Sequence, residues 1–191
     1  MTPPRLILAS SSPARRKLLQ RLGHPFEVIV SAIDEPTGFS DPRTEVATVA
    51  WLKAAKVAPQ IDSGLVIAAD TIGWIDGQAL LKPRDRDDAR RILRLMGGRT
   101  HELWTGVVLW RRPDDVQLLW QERSLVQMTA MDEAELERYL DTREWANNSG
   151  AYAILEEGDP HVCVVEGSVT NVIGLPLESL EDRLRWIHER M

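Results

Sequence analysis

Leu65-Val66-Ile67-Ala68-Ala69 is an unbroken apolar run that meets Asp70 at its end. Successive side chains of a strand point to opposite faces, so an apolar run without polar alternation reads as a strand buried on both. A sheet with such a strand needs cover on each side, and interleaved helices are the usual way to supply it.

The chain interleaves them. Leu6–Ala9 reads as a short buried strand and Pro13–Leu22 as a helix, with Ser12 at the N-cap, Pro13 in the first turn and Gly23 as the stop. Phe26–Val30 reads as a strand before the loop Ser31–Ser40. Pro42–Ala58 is a helix with Val46, Val49, Ala50 and Val57 at helical spacing. The buried strand is predicted to stop at Asp70, with Thr71–Ile75 and Gln78–Leu81 forming a hairpin about Asp76-Gly77. Asp85 caps a helix to Met96, closed by Gly97-Gly98. His101–Trp110 and Val116–Thr129 are long strands, and Asp132 with Glu135 forms a capping box for a helix ending near Leu140. Val162–Glu166 is a strand and Leu177–Arg190 a helix. The expectation is α/β: a mixed sheet with flanking helices, in one domain over 1–191.

Composition narrows the function. The 191 residues are 43% hydrophobic and 27% charged, as in ordinary globular proteins. Cys163 is the single cysteine, which rules out an internal disulfide framework and suits a reducing compartment. Leu6–Ala9 is too short for a signal-peptide core, and no run approaches membrane-spanning length, so a cytoplasmic location without membrane association is expected. A net charge of −6 argues against general nucleic-acid binding. Yet residues 1–99 carry 15 basic and 11 acidic side chains against 8 and 18 in the remainder, so positive charge gathers in the first half.

The segment "LILASSSPARRKLL" concentrates it. A strand that feeds directly into a helix leaves backbone N–H groups unpaired at the positive end of the helix dipole. Serine hydroxyls such as Ser10 and Ser12 can donate to an anion there, and Arg15 or Arg16 can grip phosphate oxygens. The same order of residues also makes a plain helix start with solvated cations. Asp70, after its apolar strand, should be hydrogen-bonded, metal-bound or solvated. Asp34-Glu35 offers hard oxygen ligands suited to Mg²⁺ or Mn²⁺. Lys53 and Lys56 lie three apart on one helix, and Lys82 precedes Pro83. There is no phosphate loop of the G-x-x-x-x-G-K-[ST] kind, no G-x-G-x-x-G, no nucleophile elbow, and His24, His101, His161 and His188 are too scattered for a zinc motif.

Taken together, "LASSSPARRKLL", "SAIDEP", "WLKAAKV", "VIAADTIGWIDGQALLKP", "DDARRILRLMGGRTHELWTGV", "SGAY" and "EGSVTNVIGLP" resemble, in family order, the Maf family of nucleoside triphosphate pyrophosphatases. The resemblance spans nearly the whole chain. It implies two lobes around a central cleft, akin to the inosine triphosphatases, and hydrolysis of a nucleoside triphosphate to monophosphate and pyrophosphate. It also implies a divalent metal, Mg²⁺ or Mn²⁺, and a cytoplasmic homodimer. Ser10, Ser12, Arg15, Arg16, Lys53 and Lys82 would then bind substrate, and Glu35 and Asp70 the metal. The resemblance also implies that Asp70 is the proton acceptor, and a carboxylate bound to the ion can serve as general base or as metal ligand. Ala14, Thr71 and Leu155 match the positions that set base preference. Thr71 agrees with members that prefer dTTP and UTP, whereas Ala14 and Leu155 stand where the family often has arginine and glutamine. Asn147-Asn148 replaces a common Asp-Lys, which removes a cation that Lys56 could restore. That loss also raises a second reading, a nucleotide-binding regulator of division and septum formation with little catalysis.

Overall fold

The computed structural model describes residues 5–146, 148–152 and 160–188. At its centre runs β3 (Gly64–Ile75), with Leu65–Ala69 all but inaccessible. β1 (Leu6–Leu8) lies parallel to it on one edge, and β2 (Phe26–Val28) lies parallel to β1. On the other edge follow β5 (Thr100–Arg112), β6 (Gln117–Met128) and β7 (Val162–Glu166), each antiparallel to its neighbour. β4 (Gln78–Leu80) turns back onto the end of β3. The seven strands form one mixed sheet in the order β2-β1-β3-β5-β6-β7, with β4 off this path.

Both faces of β3 are covered, as its composition requires. Leu65, Ile67 and Ala69 pack against Leu18 and Leu19 of α1 (Pro13–Gln20) and Leu177, Leu180 and Ile187 of α6 (Leu177–His188). Val66 and Ala68 pack against Ala50, Ala54 and Val57 of α2 (Pro42–Val57). Beyond Asp70 a further cluster forms, in which Ile75 and Leu80 meet Ile92, Leu93 and Met96 of α3 (Arg86–Met96) and Leu136 and Leu140 of α4 (Glu133–Thr142). The core therefore divides near the middle of β3.

Local signals place the helices. Ser12, Asp41 and Asp85 cap α1, α2 and α3, and the capping box of Asp132 and Glu135 opens α4. The strand around Asp70 differs from expectation. Asp70 does not end a strand: β3 continues through it, because β5 pairs with it without interruption from Gly64↔Arg112 to Trp74↔Glu102. The hairpin that follows is formed by the end of the same strand. A short helix, α5 (Val169–Ile173), capped by Ser168, also intervenes before α6; five residues are too few for a periodic signal.

One consequence of this topology positions the cleft. β1 pairs with β3 only as far as Leu8↔Ile67, and β4 joins only from Gly73↔Leu80. Between them the edge of β3 around Asp70 and Thr71 has no strand beside it. The sheet splits there, in the middle of its most buried strand.

Candidate active site

A cleft of about 1000 Å³ opens at the split. Ser10, Ser12, Ala14 and Arg15 reach it from the corner between β1 and α1, Glu35 from the loop after β2, Lys53 from α2, Asp70 and Thr71 from β3, and Lys82 from the loop after β4. These residues, drawn from positions as far apart as Ser10 and Lys82, thus face one space.

Lys53 ties the acidic side together. Its ammonium, on a side chain only 9% exposed, lies 2.8 Å from Glu35 Oε1 and 2.8 Å from Asp70 Oδ1. Asp70 reaches it because alternation along β3 puts Asp70 on the face of Val66 and Ala68, which is covered by α2. Burial alone would raise the Glu35 carboxyl; the Lys53 hydrogen bond and charge, with Lys82 and Arg15 behind them, outweigh it and hold Glu35 below its ordinary value.

Thr71 points to the other face and joins a different network. Arg15 donates from Nε to Gly174 O at 2.7 Å and from Nη2 to Thr71 Oγ1 at 3.0 Å. Thr71 Oγ1 is 2.9 Å from Thr105 Oγ1, and Thr105 donates at 2.9 Å to Asn171 O. That direction fixes the chain: Thr105 gives its proton to the carbonyl, so Thr71 gives its own to Thr105. Gly174 closes the network at φ 119°, where a Cβ would lie 3.1 Å from Thr71 Oγ1. The guanidinium expected to grip phosphate is therefore largely held by protein. Burial lowers its pKa, against the opposing charges of Asp70 and Glu35.

The serines are arranged to donate. Ser10 Oγ accepts from Ser12 N at 3.1 Å and Ser12 Oγ from Arg15 N at 3.3 Å. Each hydroxyl proton remains to be offered elsewhere. Tyr152 also lines the cleft, its Oη 2.6 Å from Nε2 of His101. Burial takes that imidazole down to about 4, so His101 is neutral at physiological pH.

Arg16 is not in the cleft. It is exposed and lines a shallow groove with His24 and Phe26. Adjacent helical residues are about 100° apart, so Arg15 and Arg16 cannot share a direction. Lys56 likewise lies outside the cleft lining. Asn148 does line it, but its amide donates to Glu144 O at 2.7 Å. Leu155 and Asn147 lie outside the described residues. Sequence reasoning missed Glu45: it sits in the first turn of α2, is 4% exposed and lines the cleft. An acid in a first turn reads as a helix-dipole residue, which concealed it.

Among the described residues no three His, Cys, Asp or Glu side chains converge closely enough to hold a metal by themselves. The available oxygens of Glu35 and Asp70 suit a hard cation that brings further oxygen ligands with it. No helix among the described residues is long and apolar enough to cross a membrane.

Fold and cleft together define an α/β protein with a polar site at a split sheet edge, cations and carboxylates facing each other across it. The chain belongs to the Maf family: the profile described as Maf-like protein matches residues 5–187. It is 39% identical over 181 residues to a dTTP/UTP pyrophosphatase of Pelotomaculum thermopropionicum, covering 94% of this chain and 95% of that one. Over 182 residues it is 40% identical to the dTTP/UTP pyrophosphatase of Dictyoglomus thermophilum, covering 94% of each. A third relative of that name, from Rhodopirellula baltica, is 38% identical across 95% of this chain and 82% of its own. Among solved structures, a nucleoside-triphosphatase / dITP/XTP pyrophosphatase from Mycobacterium abscessus aligns over 98% of both chains at 11% identity and a TM-score of 0.44, too loose a likeness to transfer anything.

Proposed function

We propose that this chain hydrolyses nucleoside triphosphates to monophosphate and pyrophosphate, with uridine and thymidine nucleotides preferred. The observation that carries this reading is Lys53 joined to both Glu35 and Asp70 in a cleft that also presents Ser10, Ser12 and Lys82. A triphosphate needs cations and hydroxyl donors along its tail, and a carboxylate where water attacks. Relatives named dTTP/UTP pyrophosphatase support the substrate class.

In this proposal Ser10, Ser12 and Lys82 hold the phosphate tail, and Lys53 orients Asp70 through Oδ1. Asp70 Oδ2 takes the proton of a water attacking the α-phosphorus; the bond from that phosphorus to the bridging oxygen breaks, and pyrophosphate departs. Mg²⁺ or Mn²⁺, held by Glu35 and Asp70 with phosphate oxygens, would offset charge on the leaving group. Thr71 has committed its proton to Thr105, so it meets a ligand only as an acceptor. That matches the imide N–H of uracil and thymine and mismatches cytosine, whose N3 is itself an acceptor. The proposal also places the enzyme in the cytoplasm as a homodimer, as the family resemblance implies.

A panel of triphosphates with Mg²⁺ or Mn²⁺, followed by pyrophosphate release, tests it. UTP and dTTP should turn over at about 1 s⁻¹ or faster, with CTP at least about tenfold slower in kcat/KM. Orthophosphate as the product, or no release from any nucleotide, contradicts the reading. Tight nucleotide binding without turnover would instead favour a nucleotide sensor, the role that Asn148 in place of a cationic side chain supports.

A further inference from the structure

Glu45 has no place in the mechanism above, yet its position is built rather than incidental. It faces the cleft with Val49 and Lys53, one helical turn apart each, along α2. That turn of α2 lies against the partner of Asp70: a Cβ on Gly106 would sit 2.4 Å from Val46 O, and Gly106 pairs with Asp70 in the sheet. Only a bare backbone at 106 lets the helix come this close. The Asp70 charge acts on Glu45, and Glu45 Oε2 is fully buried with no hydrogen-bond partner among the described residues.

A buried carboxylate oxygen without a donor is costly to keep. Glu35 and Asp70 already share Lys53, whereas Glu45 has no cation among the described residues. An arriving cation can meet Glu45 without breaking an ion pair. We propose that Glu45 is a third acidic anchor for the divalent cation that enters with the triphosphate, acting with Asp70 from the α2 side of the cleft. The inference rests on the pyrophosphatase reading and deepens it. Glu45 and Asp70 supply oxygens, the phosphates supply more, and water completes the shell of a small hard ion.

The test is Mn²⁺ binding followed by electron paramagnetic resonance, with and without the α,β-methylene analogue of UTP. Wild type should bind Mn²⁺ much more tightly with the analogue present. Glu45→Gln should weaken Mn²⁺ in that ternary complex at least about tenfold, leave metal-free analogue binding within about twofold, and melt no lower than wild type. If Glu45→Gln does not fold, Glu45→Asp, which withdraws the carboxylate by one methylene, is read against the same threshold. Unchanged Mn²⁺ affinity with the analogue bound overturns the role of Glu45 alone. An analogue that binds neither protein overturns the pyrophosphatase reading and this inference together.

Discussion

Asp70→Asn should cut kcat for UTP or dTTP by about 10³-fold, with a much smaller rise in KM from the weakened hold on the metal. The substitution keeps the shape of the side chain and its hydrogen bond from Lys53 but removes the basic oxygen. Phosphate-tail contacts from Ser10, Ser12 and Lys82 are untouched and Glu35 still faces the metal, so most of the loss should fall on the transition state rather than on binding. The fold should survive, because Lys53 retains Glu35 as a partner at 2.8 Å. Steady-state kinetics with circular dichroism of the variant checks both statements. A rise in KM with unchanged kcat would mean that Asp70 only binds substrate.

Gly106→Ala should have the largest effect on the fold. A methyl there would lie 2.4 Å from Val46 O, 2.5 Å from Val46 C and 2.9 Å from Ala47 N. All three are backbone atoms of α2 and cannot rotate aside, so the helix must move. Overpacking of this severity should cost about 3 kcal/mol, lowering Tm by about 6–12 °C for a domain of this size. The same displacement carries Lys53 away from Asp70 and Glu35. Misplacement near 1 Å in a reacting constellation costs about 10²-fold, so activity should fall even where the variant is fully folded. Thermal melting and kinetics below the transition measure the two losses separately. A variant with wild-type stability would show that α2 is not held against β5 at this point.

The pattern of what could be foreseen follows from how local each signal is. Ser12-Pro13, Asp85 and the pair Asp132/Glu135 announce helix starts within four residues, and the helices begin there. The apolar run at Leu65–Ala69 announces its own burial on both faces. The continuation of β3 through Asp70 was not legible, because it depends on β5, which lies some thirty-six residues away at the Asp70↔Gly106 pair. The split of the sheet is likewise a matter of where β1 ends and β4 begins.

The site divides along the same line. Glu35, Lys53 and Asp70 were visible as residue types, and motif order suggested that they meet, but the ammonium shared between two carboxylates is a tertiary fact. Arg15 and Arg16 look equivalent in sequence and diverge in space. Thr71 is visible as a hydroxyl, whereas the direction of its proton depends on Thr105 and Asn171. Glu45 was concealed by a conventional position at a helix start.

Hydrolysis in ¹⁸O-labelled water addresses the central claim, that a triphosphate lies in this cleft with its α-phosphorus facing the water Asp70 activates. With UTP or dTTP, the heavy oxygen should appear in the nucleoside monophosphate, and the pyrophosphate should remain unlabelled. Label in the pyrophosphate would place the attack on the β-phosphorus and contradict the arrangement of Asp70, Lys53 and Glu35 described above.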